Sequence, residues 1–173
     1  MVHSAFDTAE LIRGCPSRID CVAIYGSKII LGTSDGYLRI YASSTSSDAS
    51  DDGEVRRGTY VVDREVRGFW KRSPAAMEVC GRRELLLSLS ESVAFHRLPN
   101  LEAVAAIAKT KGANAYGWDD RRGLLCVARQ KRITIFRHDG SGFRGRTLSD
   151  FVDRHEPILL LRLLEQVGGD LRS

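Results

Sequence analysis

The sequence predicts an all-β fold made of about three four-stranded antiparallel units. Three segments share one pattern, in which an apolar run is followed by a short polar break and then by alternating apolar and polar residues. The alternating runs have the two-residue period that a strand with one buried face requires. Leu87 and Leu125, at the same place in the second and third segments, are 38 residues apart. That spacing is close to the ~40–45 residues of one four-stranded blade, so the pattern predicts a partial β-propeller.

The first unit is predicted from three short stretches rich in apolar residues. They are IDCVAI at 19–24, KIILGT at 28–33 and YLRIY at 37–41. Between the last two, Asp35-Gly36 is among the strongest signals for a tight hairpin turn. The stretch TYVV at 59–62 is predicted to be a further strand with charged flanks.

The second and third units repeat this arrangement. Their predicted strands are 76–80, 84–89, 93–96 and 102–107 in the second unit, and 114–118, 123–128, 133–136 and a strand at Phe143 in the third. Taken alone, the run LLLSL at 85–89 fits a buried helix as well as a strand. Its place in the repeat assigns it to a core strand, with SES at 90–92 as the turn that follows.

Two parts of the chain fall outside the repeat. The stretch SSTSSDASDDGE at 43–54 has no large apolar side chain that could offset the entropy cost of ordering, so it is predicted to be a disordered loop. Residues 144–173 are predicted to be a divergent tail that follows a β-domain at 1–143. The tail is expected to contain a short helix near 156–167, with Pro157 in its first turn.

Composition favours a soluble globular protein over a dedicated nucleic-acid binder. Lys and Arg number 26 against 22 for Asp and Glu, which gives a net charge of +4. The basic residues are spread from Arg13 to Arg172 rather than gathered in a stripe, so no nucleic-acid partner is expected. The four cysteines form no CxxC pair, which argues against a zinc site. They are interpreted as reduced thiols of a cytosolic protein, with Cys80 and Cys126 buried.

No catalytic constellation is predicted. His96 follows Phe95 on an alternating strand and is expected on the outer face of that strand, without a functional role. Asp119-Asp120 lies in DDRRG between two apolar runs, where turn chemistry is favoured over an acid–base pair. GSGFRG at 140–145 matches a phosphate-loop pattern but is not followed by a helix signal, and it is interpreted as a hairpin loop. The chain is therefore predicted not to be an enzyme, and no cofactor or metal is expected.

One stretch of the chain carries a local excess of positive charge. Its six basic residues are the candidate contacts to an anionic surface: Arg56, Arg57, Arg64, Arg67, Lys71 and Arg72. Within this stretch, GFWKR at 68–72 is interpreted as a solvated loop with one aromatic side chain tucked into the blade. The alternative hypothesis is a basic module that binds anionic lipid or stacks its aromatic residues on nucleic acid.

Several separated segments agree, in order and spacing, with a known family. They include CPSRIDCVAIYGSKIILGTSDGYLRIYA and YGWDDRRGLLCVARQKRITIFRHDG, and the agreement covers about residues 1–143. Matching positions include Ile19-Asp20, Leu38 to Tyr41, Lys109 to Gly112 and Lys131 to Ile133. These segments resemble the start of the citron-homology (CNH) domain of the Vam6-type vacuolar-sorting subunit of the HOPS membrane-tethering complex.

The resemblance implies a non-catalytic protein-interaction module in endosome and lysosome (vacuole) membrane tethering, vesicle fusion and autophagy. It implies other HOPS-type tether subunits and a Rab-family small GTPase as partners, and a cytoplasmic location, peripheral on the late endosome or vacuole (lysosome) membrane. No short family motif maps the GTPase contact onto particular residues here. Residues 144–173 depart from the expected continuation, so the sequence is interpreted as an N-terminal, truncated form.

Overall fold

The computed structural model describes residues 10–44 and 59–138, together with the backbone of 143–147, and these residues form three four-stranded sheets. Sheet 1 contains β1 (Ile19–Tyr25), β2 (Lys28–Thr33), β3 (Leu38–Ser43) and β4 (Tyr60–Val66). Sheet 2 contains β5 (Ala76–Cys80), β6 (Leu85–Leu89), β7 (Val93–Arg97) and β8 (Glu102–Ile107), followed by a 3₁₀ turn at Ala108–Thr110. Sheet 3 contains β9 (Ala115–Asp119), β10 (Leu124–Arg129), β11 (Arg132–His138) and β12 (Phe143–Thr147).

Each sheet is an antiparallel meander whose strands lie side by side in chain order. This confirms the all-β prediction and the division into three repeated, blade-like units. The described sheets do not close into a ring. Breaks of two to four residues connect consecutive strands within each sheet, which is enough to reverse an antiparallel pair; the exception is the connection between β3 and β4, which runs from 44 to 59.

The predicted hairpins form where the turn residues stand. At Asp35-Gly36 the amide of Gly36 donates to the carbonyl of Thr33 over 2.9 Å, and Gly36 has a φ of +78°. In sheet 2, Leu89 pairs with Val93, so residues 90–92 make the predicted turn. In sheet 3 the break is shorter than predicted, because residues 129 and 132 still pair and only 130–131 make the turn.

The outer strands extend beyond the predicted segments. β4 continues past residue 62 to Val66, and a register irregularity beside Ile40 allows Asp63 to be accommodated in it. β12 continues to Thr147, past the predicted domain boundary at 143. Most of the predicted loop at 43–54 and the predicted helix near 156–167 lie outside the described residues.

Two apolar cores hold the three sheets together, and sheet 2 contributes to both. The core between sheets 1 and 2 contains Ala23, Ile30, Leu38, Ile40, Trp70, Met77, Leu86, Leu98 and Leu101. The core between sheets 2 and 3 contains Cys80, Leu85, Leu87, Leu89, Val93, Phe95, Ile107, Leu125, Val127 and Phe136. Every residue of β6 is buried because its alternate side chains enter opposite cores, which explains why LLLSL does not alternate in hydropathy. Cys80 and Cys126 are buried free thiols, as predicted.

Candidate interaction surface

The outward surface of sheet 1, on the side away from sheet 2, exposes apolar side chains. We call this surface the open face. Its apolar residues are neighbours on adjacent strands: Val22, Ile24, Ile29, Leu31, Tyr41 and Val62. Val22 and Ile24 on β1 are 57% and 70% exposed, and Val62 on β4 is 52% exposed. Large apolar side chains exposed beside one another on a sheet face, as Val22 and Ile24 are on β1, are typical of a contact surface.

Residues 10–18 cover part of the open face. Ser17 donates a hydrogen bond to the carboxylate of Asp35 over 2.6 Å, which anchors this segment at the β2–β3 turn. Burial raises the pKa of the Tyr41 phenol, and the nearby thiol of Cys15 acts in the same direction. Within the open face, Leu31 and Tyr41 are buried, whereas the apolar side chains on β1 and β4 are exposed.

A buried arginine lies at one end of the open face. Arg39 on β3 is 3% exposed, and its Nη2 lies 2.9 Å from Asp35 Oδ2 while its Nε lies 2.9 Å from Glu65 Oε2. Its Nη1 also donates to the hydroxyl of Thr33, and its guanidinium lies over the Tyr37 ring at 4.9 Å from the centroid. Two carboxylates and a hydroxyl thus replace the water that a buried guanidinium loses.

The electrostatics of this group follow from its contacts. The Arg39 guanidinium holds the pKa of the Asp35 carboxyl well below its usual range, against the effect of burial, and the hydroxyls of Ser17 and Thr33 act in the same direction as Arg39. Asp35 in turn raises the pKa of Arg39. The network joins the β2–β3 turn, β3 and β4, so it fixes the edge of the open face and gives the buried guanidinium two carboxylate partners within the sheet.

The six basic residues predicted to contact an anionic surface do not form one cluster among the described residues. Arg56 and Arg57 lie outside the described residues. Arg64 turns toward sheet 2, where its guanidinium lies 3.5 Å from the backbone carbonyl oxygens of Pro99 and Asn100. It therefore bridges two sheets and does not point freely into solvent.

The other three basic side chains lie at the surface. The Nε of Arg67 is 3.5 Å from Glu65 Oε1, and the Nε of Arg72 is 3.8 Å from Glu91 Oε1. These two side chains are 80% and 82% exposed, and Lys71 is also exposed. Ion pairs this exposed contribute little to stability, so these side chains are available to an anionic partner.

Both aromatic residues of GFWKR, Phe69 and Trp70, pack between sheets 1 and 2, whereas the sequence predicted that only one of them would be buried. Trp70 is 7% exposed, and its Nε1 donates to Ser88 Oγ over 3.1 Å. Phe69 meets Trp70 edge-on at 4.6 Å between ring centroids and lies 4.5 Å from the ring of His96. The prediction of a solvated loop with one buried ring was wrong in this respect, and the Trp70 ring is not free to stack on a base.

Gly36 makes the packing of Trp70 possible. The amide of Trp70 donates to the carbonyl of Gly36 over 3.1 Å. A Cβ on Gly36 would lie 2.4 Å from the carbonyl oxygen of Trp70, and its φ of +78° already favours glycine. The Asp35-Gly36 pair therefore forms a turn and also contacts Trp70, in the linker between sheets 1 and 2. Turn statistics do not reveal this second role.

His96 is not on a solvated outer face, so that prediction was wrong. It is half-buried against Phe69 on the side of β7 that faces sheet 1, and burial lowers the pKa of its imidazole. The cause is that both faces of sheet 2 are covered, which leaves the middle strands no outer face. A packed neutral imidazole beside an aromatic ring serves the core and gives no reason to assign catalysis.

The acidic pair of the β9–β10 connection forms turn contacts. Asp119 accepts hydrogen bonds from the backbone and side chain of Arg122; burial raises the pKa of its carboxyl, but these bonds outweigh it and lower the pKa overall. Asp120 accepts a bond from the amide of Arg82 over 2.9 Å and lies 3.3 Å from Arg83 Nε. The pair thus ties the turn to sheet 2, in agreement with the structural interpretation.

The described part of the chain shows neither a metal-binding cluster nor a membrane-spanning helix. Among residues 10–44, 59–138 and 143–147, no group of three or more His, Cys, Asp or Glu side chains is arranged to hold a metal ion. No helix in this same part of the chain is long and apolar enough to cross a membrane.

The relatives found by comparison with known proteins all carry Vps39-type names. The chain is 60% identical, over 142 residues, to Vacuolar sorting protein 39 of Arabidopsis thaliana, and the match covers 82% of this chain. It is 23% identical over 148 residues, or 78% of this chain, to the Vam6/Vps39-like proteins of Mus musculus and Homo sapiens. The names of these relatives support a relationship between this chain and the Vam6/Vps39 family. The chain spans only 14% of the Arabidopsis protein and 17% of the two mammalian proteins.

No protein-family model matches the chain, so the CNH assignment stays a prediction. Among solved structures, the computationally designed Ika4 protein superposes with a TM-score of 0.57 at 12% identity, covering 82% of this chain and 79% of that one. The designed Ika8 protein gives a TM-score of 0.50 at 11% identity, covering 72% of this chain and 34% of that one. At such low identity the likeness concerns the fold alone.

Proposed function

We propose that the chain is a non-catalytic protein-interaction module of a HOPS-type membrane tether, which works in traffic to the endosome and the vacuole or lysosome. Its partners are other tether subunits and a Rab-family small GTPase. It acts in the cytoplasm, peripheral on the late endosomal or vacuolar membrane, in tethering, vesicle fusion and autophagy. The observation that carries this proposal is the open face of sheet 1, in a chain whose relatives include Vacuolar sorting protein 39 and a Vam6/Vps39-like protein.

The open face has the composition of a protein contact. Val22 and Ile24 lie on one strand, Val62 lies at the other side of the sheet, and all three are more than half exposed. The Arg39 network borders this apolar area, as polar groups border the apolar centre of an interface. Burying three such side chains against a partner would supply a favourable apolar term of about 25 cal/mol per Å².

The test is a pull-down with the purified chain. GTP-loaded endosomal Rab proteins and the separate tether subunits are the ligands, and the variant is Val22→Asp with Ile24→Asp. We expect at least a ~10-fold loss of affinity for the bound partner, because a carboxylate buried in an apolar contact is strongly unfavourable.

The matched control is Val104→Asp. Val104 is 42% exposed on β8 of sheet 2, away from the open face, so this variant should bind as the parent does. Failure of the folded parent chain to bind any of these ligands would refute the proposal, and so would an equal loss caused by the control.

A second candidate function rests on the exposed basic side chains of the linker between sheets. Arg67 and Arg72 are held only loosely by carboxylates, and Lys71 lies beside them in sequence. Binding to anionic vesicles should then fall steeply with salt and fall again in Lys71→Ala with Arg72→Ala, whereas Arg13→Ala, also highly exposed, should have no effect. Unchanged binding to vesicles, and to RNA measured in parallel, would remove this alternative.

A further inference from the structure

Glu78 is an acidic residue on a face of sheet 2 that otherwise belongs to a core. It lies at the middle of β5, and it pairs with Leu87 of β6 in the register. Successive side chains of a strand point to opposite faces of the sheet, so Glu78 shares a face with Ala76 and Cys80. Cys80 belongs to the core between sheets 2 and 3, and Ala76 packs against that core. The Glu78 side chain is therefore directed toward sheet 3.

Glu78 is not compensated by a partner among the described residues. Its Oε1 atom is buried and accepts no hydrogen bond. The cation in the turn after β5, Arg83, is engaged with sheet 3 instead: its Nε lies 3.3 Å from Asp120 Oδ1, and its guanidinium lies over the Trp118 ring at 5.8 Å from the centroid. A buried carboxylate oxygen without a hydrogen bond is unfavourable, so this position favours the neutral form of the acid.

The titratable groups around Glu78 act in the same direction. Burial raises the pKa of the Glu78 carboxyl, and the negative charge of Asp120 raises it further. Burial also raises the pKa of the Tyr116 phenol on β9 and of the Cys80 thiol on β5, and the charge of Glu78 adds to both effects. Cys21 on β1 adds to the effect on Tyr116. Acidic groups from the first strands of all three sheets therefore influence one another here.

We propose that Glu78 is a pH-dependent latch between β5 and β9, the edge strands through which sheets 2 and 3 meet at this carboxyl. While the carboxyl is neutral, the two strands stay packed, because burying a neutral acid costs less free energy than burying a carboxylate. Once ionised, the carboxylate requires water, and β9 separates locally from β5 to admit it. Because the pKa of Glu78 is raised in the folded chain, the contact is complete below the ordinary pKa of 4.5 and weakens as the pH rises through the folded pKa.

Amide hydrogen exchange, measured strand by strand with mass spectrometry, tests the latch. The variant is Glu78→Gln, which keeps the shape of the side chain and stays neutral, and the control is Glu102→Gln on the exposed strand β8. At about pH 7.5, β9 should exchange at least ~5-fold faster in the parent than in Glu78→Gln, and at about pH 4 the two should be equal. β8 should exchange equally in both chains, and the control should match the parent in β9. Equal β9 rates at about pH 7.5, or an equally large difference in β8, would overturn the proposal.

A second measurement uses the parent chain alone, so that it does not depend on the folding of a variant. The carboxyl carbon of Glu78, followed by NMR in a chain with isotope-labelled glutamate, should titrate with a pKa above the ordinary 4.5. Over the same pH interval, the exchange of β9 should accelerate beyond the intrinsic pH dependence of amide exchange, while that of β8 should not. A Glu78 carboxyl that titrates at or below 4.5, or β9 exchange that does not follow its titration, would show that the latch is absent.

Discussion

The substitution Asp35→Asn tests whether the Arg39 network holds sheet 1 together. Asn keeps the shape of the side chain and removes its charge, so Arg39 retains Glu65 and the Thr33 hydroxyl but loses one of its two counter-charges. Because Arg39 is 3% exposed, water cannot replace the lost carboxylate.

The magnitude follows from burial. Breaking a fully buried ion pair costs about 3–5 kcal/mol. The side chain of Asp35 is 30% exposed and Glu65 remains as a partner, so we reduce the expected loss to ~2 kcal/mol in the free energy of unfolding at pH 7. For a chain of this size, such a loss lowers the Tm by ~4–8 °C.

The effect should depend on pH in a defined direction. The pKa of Asp35 is lowered in the folded chain, so the unfolded chain takes up the proton first as the pH falls. The stabilisation is complete above the unfolded pKa of ~3.9 and is lost as the pH falls through the folded pKa. The difference between parent and variant, measured by urea unfolding with tryptophan fluorescence, should shrink below about pH 4.

The control is Lys28→Met, which breaks the pair between Lys28 and Asp63. Its atoms are 2.7 Å apart, but the two side chains are 42% and 41% exposed, so we expect a loss below ~1 kcal/mol. If Asp35→Asn costs no more than this control at pH 7, or if its effect is the same at pH 7 and below pH 4, the account of a buried, charge-dependent network is wrong.

Two other substitutions test the packing between sheets 1 and 2. Gly36→Ala should lower the free energy of unfolding by at least ~2 kcal/mol, because φ is positive and the new Cβ would meet the Trp70 carbonyl. The control is Gly81→Ala, whose new Cβ meets no atom within 4 Å, and it should cause no loss in the same urea titration. The pKa of His96 is lowered by burial, so the parent should lose stability as the pH falls below ~6.5 and the imidazole must charge, whereas His96→Phe should flatten that dependence. Equal effects of the two glycine variants, or an unchanged pH profile in the histidine variant, would contradict these assignments.

The sequence alone was enough to predict the strands and turns, because their signals are local. The alternation in YLRIY, the Asp35-Gly36 pair and the fourth strand at 102–107 each depend on residues close together in the chain. Repetition of the same pattern then resolved LLLSL, which is ambiguous by itself, as a strand.

Only the tertiary structure decided which side of each strand is covered, and by what. Arg39 meets Glu65 across 26 residues of sequence, and Trp70 meets Ser88 across 18; no local pattern specifies those partners. His96 has an alternating neighbourhood that predicts an outer face, yet Phe69 and sheet 1 cover it. Periodicity divides a strand into two faces because successive side chains point to opposite sides of the sheet. Which face becomes a core, and which stays open to a partner, depends on the sheets stacked beside it.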